Sequence, residues 1–193
     1  SMLAQDFEPS RLERTKFAID RLTQQLEQDR IGLIVFAGDA YMQLPITSDY
    51  VAARSFAAQI SPTMVSKQGT AIGAAIDLAA SSFSSGSEGS RVIVVISDGE
   101  NHEDDALAAA KAAAEKGIRI YTIGIGTPEG APISIDGEFI KDEQGDMVVS
   151  KLDEQMLEQI ALTTGGAYIR ATNRSLGLDE IVQKINEVEK KEL

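Results

Sequence analysis

Apolar residues recur along this chain in two ways, at helical spacing and in short unbroken runs, and their order sets out the elements. After Pro9-Ser10, Leu12, Ile19, Leu22 and Leu26 share one helical face, while Arg11, Glu13, Arg14 and Gln24 lie off it. The spacing predicts an amphipathic helix ending near Asp29. Residues 31–36 form an apolar run too short for a helix, which reads as a strand buried on both faces, with residues 41–44 as a short neighbour beyond the Gly38-Asp39 turn. Asp49 is placed to cap a second helix reaching about Ile60. Gly69-Thr70 precedes a third helix, in which Ile72, Ile76, Ala79 and Phe83 repeat, and the serine- and glycine-rich residues 84–90 stop it. Residues 92–96 read as a second fully buried strand running into Ser97-Asp98-Gly99-Glu100-Asn101, and a helix over 104–116 follows.

Residues 118–125 give a third long strand. Beyond it, residues 132–150 alternate short apolar pairs with Asp136-Gly137 and Gln144-Gly145, which predicts a β-hairpin insert. A helix over 153–163, a break at Gly165-Gly166, a strand over 167–170 and a helix over 175–190 complete the order. Strands alternating with helices predict an α/β fold, a doubly wound and mainly parallel sheet with flanking helices. A length of 193 residues fits one domain, residues 1–193, large enough to bury a sizeable core.

Composition narrows the partners. Thirty acidic against eighteen basic residues give a net charge of −12, which repels phosphate backbones and anionic head groups, so no nucleic acid is expected. The absence of cysteine removes thiolate chemistry and fits a cytoplasmic or a periplasmic address. No run approaches the roughly 18 apolar residues of a membrane helix and no signal peptide opens the chain, which reads as soluble. The first and last residues nonetheless resemble cut ends of something longer.

In open α/β sheets ligands bind beyond the carboxyl ends of the strands. Ser97-Asp98-Gly99 lies there, Thr70 holds a comparable position after Gly69, and Ser1 is a third candidate if a strand precedes it. Several blander readings compete. Asp98 and Thr70 can act as helix caps. Glu100, Glu103, Asp104 and Asp105 can form a multi-carboxylate metal centre, but acidic residues are favoured at a helix's positive end. His102, the only histidine, reads as solvent-facing. Gly124-Ile125-Gly126 is followed by Pro128 rather than by the helix a dinucleotide loop needs. Asp142, Gly145 and Asp146 lack EF-hand spacing and read as a polar hairpin turn.

Ser97-Asp98-Gly99-Glu100 after an apolar strand, with Gly69-Thr70 one helix earlier, resembles two of the three elements of the metal-ion-dependent adhesion site of von Willebrand factor A (VWA) domains. The third element, Asp-x-Ser-x-Ser, ends that family's first strand, and residues 1–6 resemble the sequence that closes and follows it. Ser1 is then either the motif's last serine or a residue foreign to it ahead of Met2. Ser97 to Glu103 and Lys151-Leu152-Asp153 are most similar to the VWA proteins of bacterial aerotolerance (Bat) operons.

The resemblance implies a non-enzymatic, metal-dependent protein-binding module of a bacterial envelope complex, membrane-anchored in full and with the domain periplasmic. Ser1, Thr70 and Asp98 would be metal ligands for Mg²⁺, or else Mn²⁺ or Ca²⁺. Hydroxyl ligands are neutral, so such an ion keeps positive charge for an acidic residue of a protein partner. A Mg²⁺-dependent hydrolase or phosphotransferase using Asp98 and Glu100, and a scaffold with a vestigial metal site, are the alternatives.

Placing the motif's aspartate and the family's first strand before Ser1 carries two expectations. The chain as given should bind metal weakly or not at all. The strands at 31–36 and 92–96 should pair directly or take in a segment of another chain, giving self-association. Separately, Asp98→Ala in the full-length protein should abolish metal-dependent partner binding and leave the fold intact, because the residue sits at a strand end and not in the core.

Overall fold

The computed structural model describes residues 1–85, 89–101 and 103–192. His102 and residues 86–88 of the serine- and glycine-rich turn lie outside them. The elements run α1 (Arg11–Thr23), β1 (Ile31–Phe36), β2 (Ala40–Thr47), α2 (Tyr50–Ala58), α3 (Ile72–Ser82), β3 (Val92–Ser97), α4 (Ala106–Glu115) and β4 (Arg119–Gly124). Four two-residue strands follow, β5 (Ala131–Pro132), β6 (Ser134–Ile135), β7 (Glu138–Phe139) and β8 (Val149–Ser150), then α5 (Glu154–Thr163), β9 (Tyr168–Arg170) and α6 (Leu178–Glu192). The helices start where the sequence offers caps: Ser10, Asp49, Asp105 and Asp153 each accept a backbone N–H of the following first turn.

Parallel strands in the order β3-β4-β9 form the central sheet. Both its faces are covered, which is why its strands read as continuous apolar runs. Ile93, Val95, Ile118 and Ile120 point into a cluster with Ile72 and Ile76 of α3, Ala106, Ala109, Ala110 and Ala113 of α4, and Ile160 of α5. The alternate positions Val92, Val94, Ile96, Tyr121 and Ile123 pack instead with Ala18 and Leu22 of α1 and Ile181 of α6. The alanine run of α4 lets that helix lie close to its neighbours. This is the doubly wound α/β arrangement.

Of the two arrangements the sequence allows for β1 and β3, direct pairing does not occur within the chain. β1 pairs antiparallel with β2 alone and β3 pairs with β4 alone, so among the described residues each keeps one edge unpaired. Helix α3 lies against β1, β2 and β3 and holds the two sheets side by side. The reading of β1 as buried on both faces is corrected with it: only Leu33 is buried, against Leu44, Ala53 and Ala57. Pro45, which lacks a backbone donor, sits in β2, on the outer side of the pair.

The insert after β4 folds as two short antiparallel strand pairs. The Asp136-Gly137 turn joins β6 to β7 with both φ angles positive, +52° and +85°. β5 pairs with β8, and Lys141 bridges to Met147.

Candidate metal centre

Asp98 follows the last residue of β3 and is only 1% exposed. Its backbone is fixed by Gly99, whose φ of +79° and contact with the Asp153 carbonyl leave no room for a Cβ. The Asp98 carbonyl accepts the Asp153 N–H at 2.7 Å, which ties the end of β3 to the start of α5. The side chain is held from two directions. Oδ1 accepts the Glu100 N–H at 3.2 Å. Oδ2 accepts the Ser150 hydroxyl at 2.8 Å and Arg11 Nη1 at 3.3 Å.

Arg11 is the residue the sequence does not reveal. Helical spacing puts it off the apolar face of α1, yet its side chain is fully buried. It is paired with Asp6 at 2.7 Å, and Nη1 also donates to Ser150 Oγ at 2.8 Å. A buried arginine is stable only when paired, and the partners stand 5, 87 and 139 positions away in the chain. The burial of Asp98 also revises the expectation that Asp98→Ala is structurally neutral, because that change would strip a buried guanidinium of one counter-charge.

Ser1 lies beside this group. As a residue it is exposed, and its backbone nitrogen lies near enough to Asp98, Arg11 and Glu100 to feel their charges. Thr70 is on the adjoining loop. It is not the cap of α3: that position is Ala71, whose side chain caps nothing. The exposed N–H groups of α3 are met from across the cleft, Ile72 by Asn101 Oδ1 at 3.0 Å and Gly73 and Ala74 by the Asp104 carboxylate at 2.9 and 2.8 Å. Gly69, with φ +132°, lies so close to Glu103 that an added Cβ would stand 2.7 Å from its Oε1. The loop bearing Thr70 is thus sewn to the loop that begins at Asp98.

The acidic residues after Asp98 have separate employments. Glu103 faces Lys67 at 3.5 Å, Asp104 caps α3, Asp105 caps α4, and Glu100 accepts the Lys151 N–H at 3.3 Å. Among the described residues no three His, Asp or Glu side chains are grouped to hold a metal. A centre here would therefore rest on hydroxyls and one carboxylate. The Asp98 carboxylate suits such an ion: among the described residues Oδ1 has one hydrogen bond and a spare lone pair, and the other oxygen is anchored by Ser150 and Arg11 as the outer partners of metal-ligating carboxylates are.

Comparisons with known proteins agree with this architecture. The sequence model of the von Willebrand factor type A domain matches residues 1–184. A protein of Borreliella burgdorferi is 31% identical over 82% of the chain and 47% of its own length. A UPF0353 protein of Mycolicibacterium paratuberculosis is 27% identical over 98% of the chain and 57% of its own. The chain thus spans about half the length of these curated relatives. Among solved structures, an aerotolerance-related membrane protein of Bacteroides fragilis is 51% identical, with a TM-score of 0.92 over 97% of this chain and 94% of its own. BatB of Bacteroides thetaiotaomicron is 49% identical, with a TM-score of 0.90 over the same shares. Proximal thread matrix protein 1 of the mussel byssus, solved with a zinc-occupied MIDAS motif, shares the fold at 15% identity, with a TM-score of 0.67 over 97% of this chain and 43% of its own. In this chain no described helix is long and apolar enough to cross a membrane. By the span of that match, and by its likeness to the Bacteroides structures, the chain belongs to the von Willebrand factor type A domain family.

Proposed function

We propose that residues 1–193 form one protein-binding domain of a bacterial envelope complex, linked to aerotolerance or stress, which grips its partner through a divalent ion. Ser1, Thr70 and Asp98 are the ligands this chain offers, and Mg²⁺ suits them, with Mn²⁺ or Ca²⁺ as substitutes. The ion would supply positive charge for an acidic side chain of the partner. The chain's own residues do the positioning: β3 and Gly99 fix Asp98, Ser150 and Arg11 hold one of its oxygens, and Asn101 and Asp104 bind the Thr70 loop to it. The observation that carries this reading is the buried, anchored carboxylate at the carboxyl end of a central strand with a lone pair to spare.

The insert supports a protein as the partner. Its pairings set Pro132 opposite Val149, Phe139 opposite Ser134 and Met147 opposite Lys141. Phe139, Met147 and Val149 are 54%, 54% and 44% exposed. The neighbouring Ser150 turns the other way, toward Asp98, so the exposed Val149 shares a short strand pair with a residue that holds the site's carboxylate. The alternative, a Mg²⁺-dependent hydrolase or phosphotransferase using Asp98 and Glu100, is less favoured because Glu100 accepts the Lys151 N–H and the following Glu103, Asp104 and Asp105 are engaged with Lys67 and two helix ends. The test is metal dependence of association: the complete gene product should retain a co-purifying protein in Mg²⁺, release it in chelator and recapture it when Mg²⁺ is restored. Retention unchanged in chelator would refute the reading.

A further inference from the structure

Arg11 opens α1, and its guanidinium reaches Asp98 through a passage that only a glycine permits. A Cβ on Gly126, at φ +134°, would stand 2.8 Å from Arg11 Nη2. Asp6 grips the guanidinium at two points, Nε to Oδ1 at 2.8 Å and Nη2 to Oδ2 at 2.7 Å. Nη1 meets Ser150 Oγ at 2.8 Å and Asp98 Oδ2 at 3.3 Å, and Nη2 meets the Ser150 carbonyl at 3.3 Å. Ser150 Oγ in turn donates to Asp98 Oδ2 at 2.8 Å. The charges therefore run negative, positive, negative from Asp6 through Arg11 to Asp98, in a buried setting where screening is weak.

The two oxygens of Asp98 are left unequal. Oδ2 is engaged by the hydroxyl and the guanidinium, while Oδ1 meets only a backbone N–H among the described residues. Resting on the metal-binding reading above, we propose that Arg11 is a positioning residue that sets the charge Asp98 presents to a divalent ion. Arg11 presents Oδ1 as a single ligand atom and offsets part of the carboxylate's charge. The ion is held less tightly, and keeps more positive charge for an acidic group of the partner. Asp6, on the far side of Arg11, tempers the guanidinium, so that Asp6 and Arg11 act on the ion with opposite signs.

The opposite signs make the proposal testable with the metal alone. Mn²⁺ affinity of the complete gene product is measured by electron paramagnetic resonance for the wild type, Arg11→Gln, Asp6→Asn and Arg11→Lys, with near-ultraviolet circular dichroism to confirm folding. Loss of the positive charge in Arg11→Gln should tighten Mn²⁺ about tenfold, and loss of the tempering charge in Asp6→Asn should weaken it roughly threefold or more. Arg11→Lys keeps the charge and loses the two-point grip, so its affinity should stay within about twofold of wild type even as its melting temperature falls. A purely structural Asp6–Arg11 pair would lower affinity in both neutralising variants or in neither, and either pattern overturns the proposal. Should Arg11→Gln not fold, Asp6→Asn and Arg11→Lys still decide: unchanged affinity in the first, or a several-fold change in the second, overturns it. Mn²⁺ binding by the wild type with the variants moving together removes this inference alone, whereas a folded wild type that binds no Mn²⁺ removes the metal reading and this inference with it.

Discussion

Strands β1 and β3 are each six residues long and almost wholly apolar, IGLIVF and VIVVIS, yet they live in different surroundings. In β3 every second side chain is buried under α3, α4 and α5, and the alternate ones pack toward α1 and α6. In β1 Leu33 alone is buried, and the strand leans on β2, α2 and α3. An apolar run shows that a strand exists. What covers its faces depends on elements far away in the chain, and the site sits at the end of the strand that is covered twice.

If double cover is what makes the central sheet rigid, truncation there should cost most. Ile123→Ala in β4, at a fully buried position, should lose about 2–5 kcal/mol, and Ile34→Ala in β1, half-buried, roughly a third of that, both read from urea unfolding. Equal losses would erase the distinction between the two sheets. A smaller effect should come from the stitch between them. Asp104→Ala removes the carboxylate that meets the N–H groups of Gly73 and Ala74, at a cost of about 1–2 kcal/mol. Hydrogen exchange should then speed up in α3 and β2 and stay slow in β4 and β9. A uniform increase would mean that Asp104 does not join the sheets.

Much of this could be read from sequence because the signals are local. The Asp49 cap, the alternation of strands with helices, the hairpin insert with its Asp136-Gly137 turn and the Asp98 strand end all depend on near neighbours. What stayed hidden is non-local. Arg11 belongs by spacing to a solvated face, and only the arrival of Asp6, Asp98 and Ser150 around it makes its burial tolerable. The capping of α3 by Asn101 and Asp104 is likewise a meeting of two loops, which is why Thr70 looked like its cap.

The central claim is that Asp98 serves a divalent ion and does not merely balance Arg11. It is tested most directly by titrating Mn²⁺ into the complete gene product and its Asp98→Asn variant, with residues 1–193 alone as a third sample. Asparagine keeps the acceptor for Ser150 and Arg11 and removes the charge. The account predicts one Mn²⁺ site in the gene product, at least about a hundredfold weaker binding in Asp98→Asn with near-ultraviolet circular dichroism retained, and weaker binding in residues 1–193 alone, where one half-neutralised carboxylate must serve. Equal Mn²⁺ affinity in the wild type and a folded Asp98→Asn variant would contradict it.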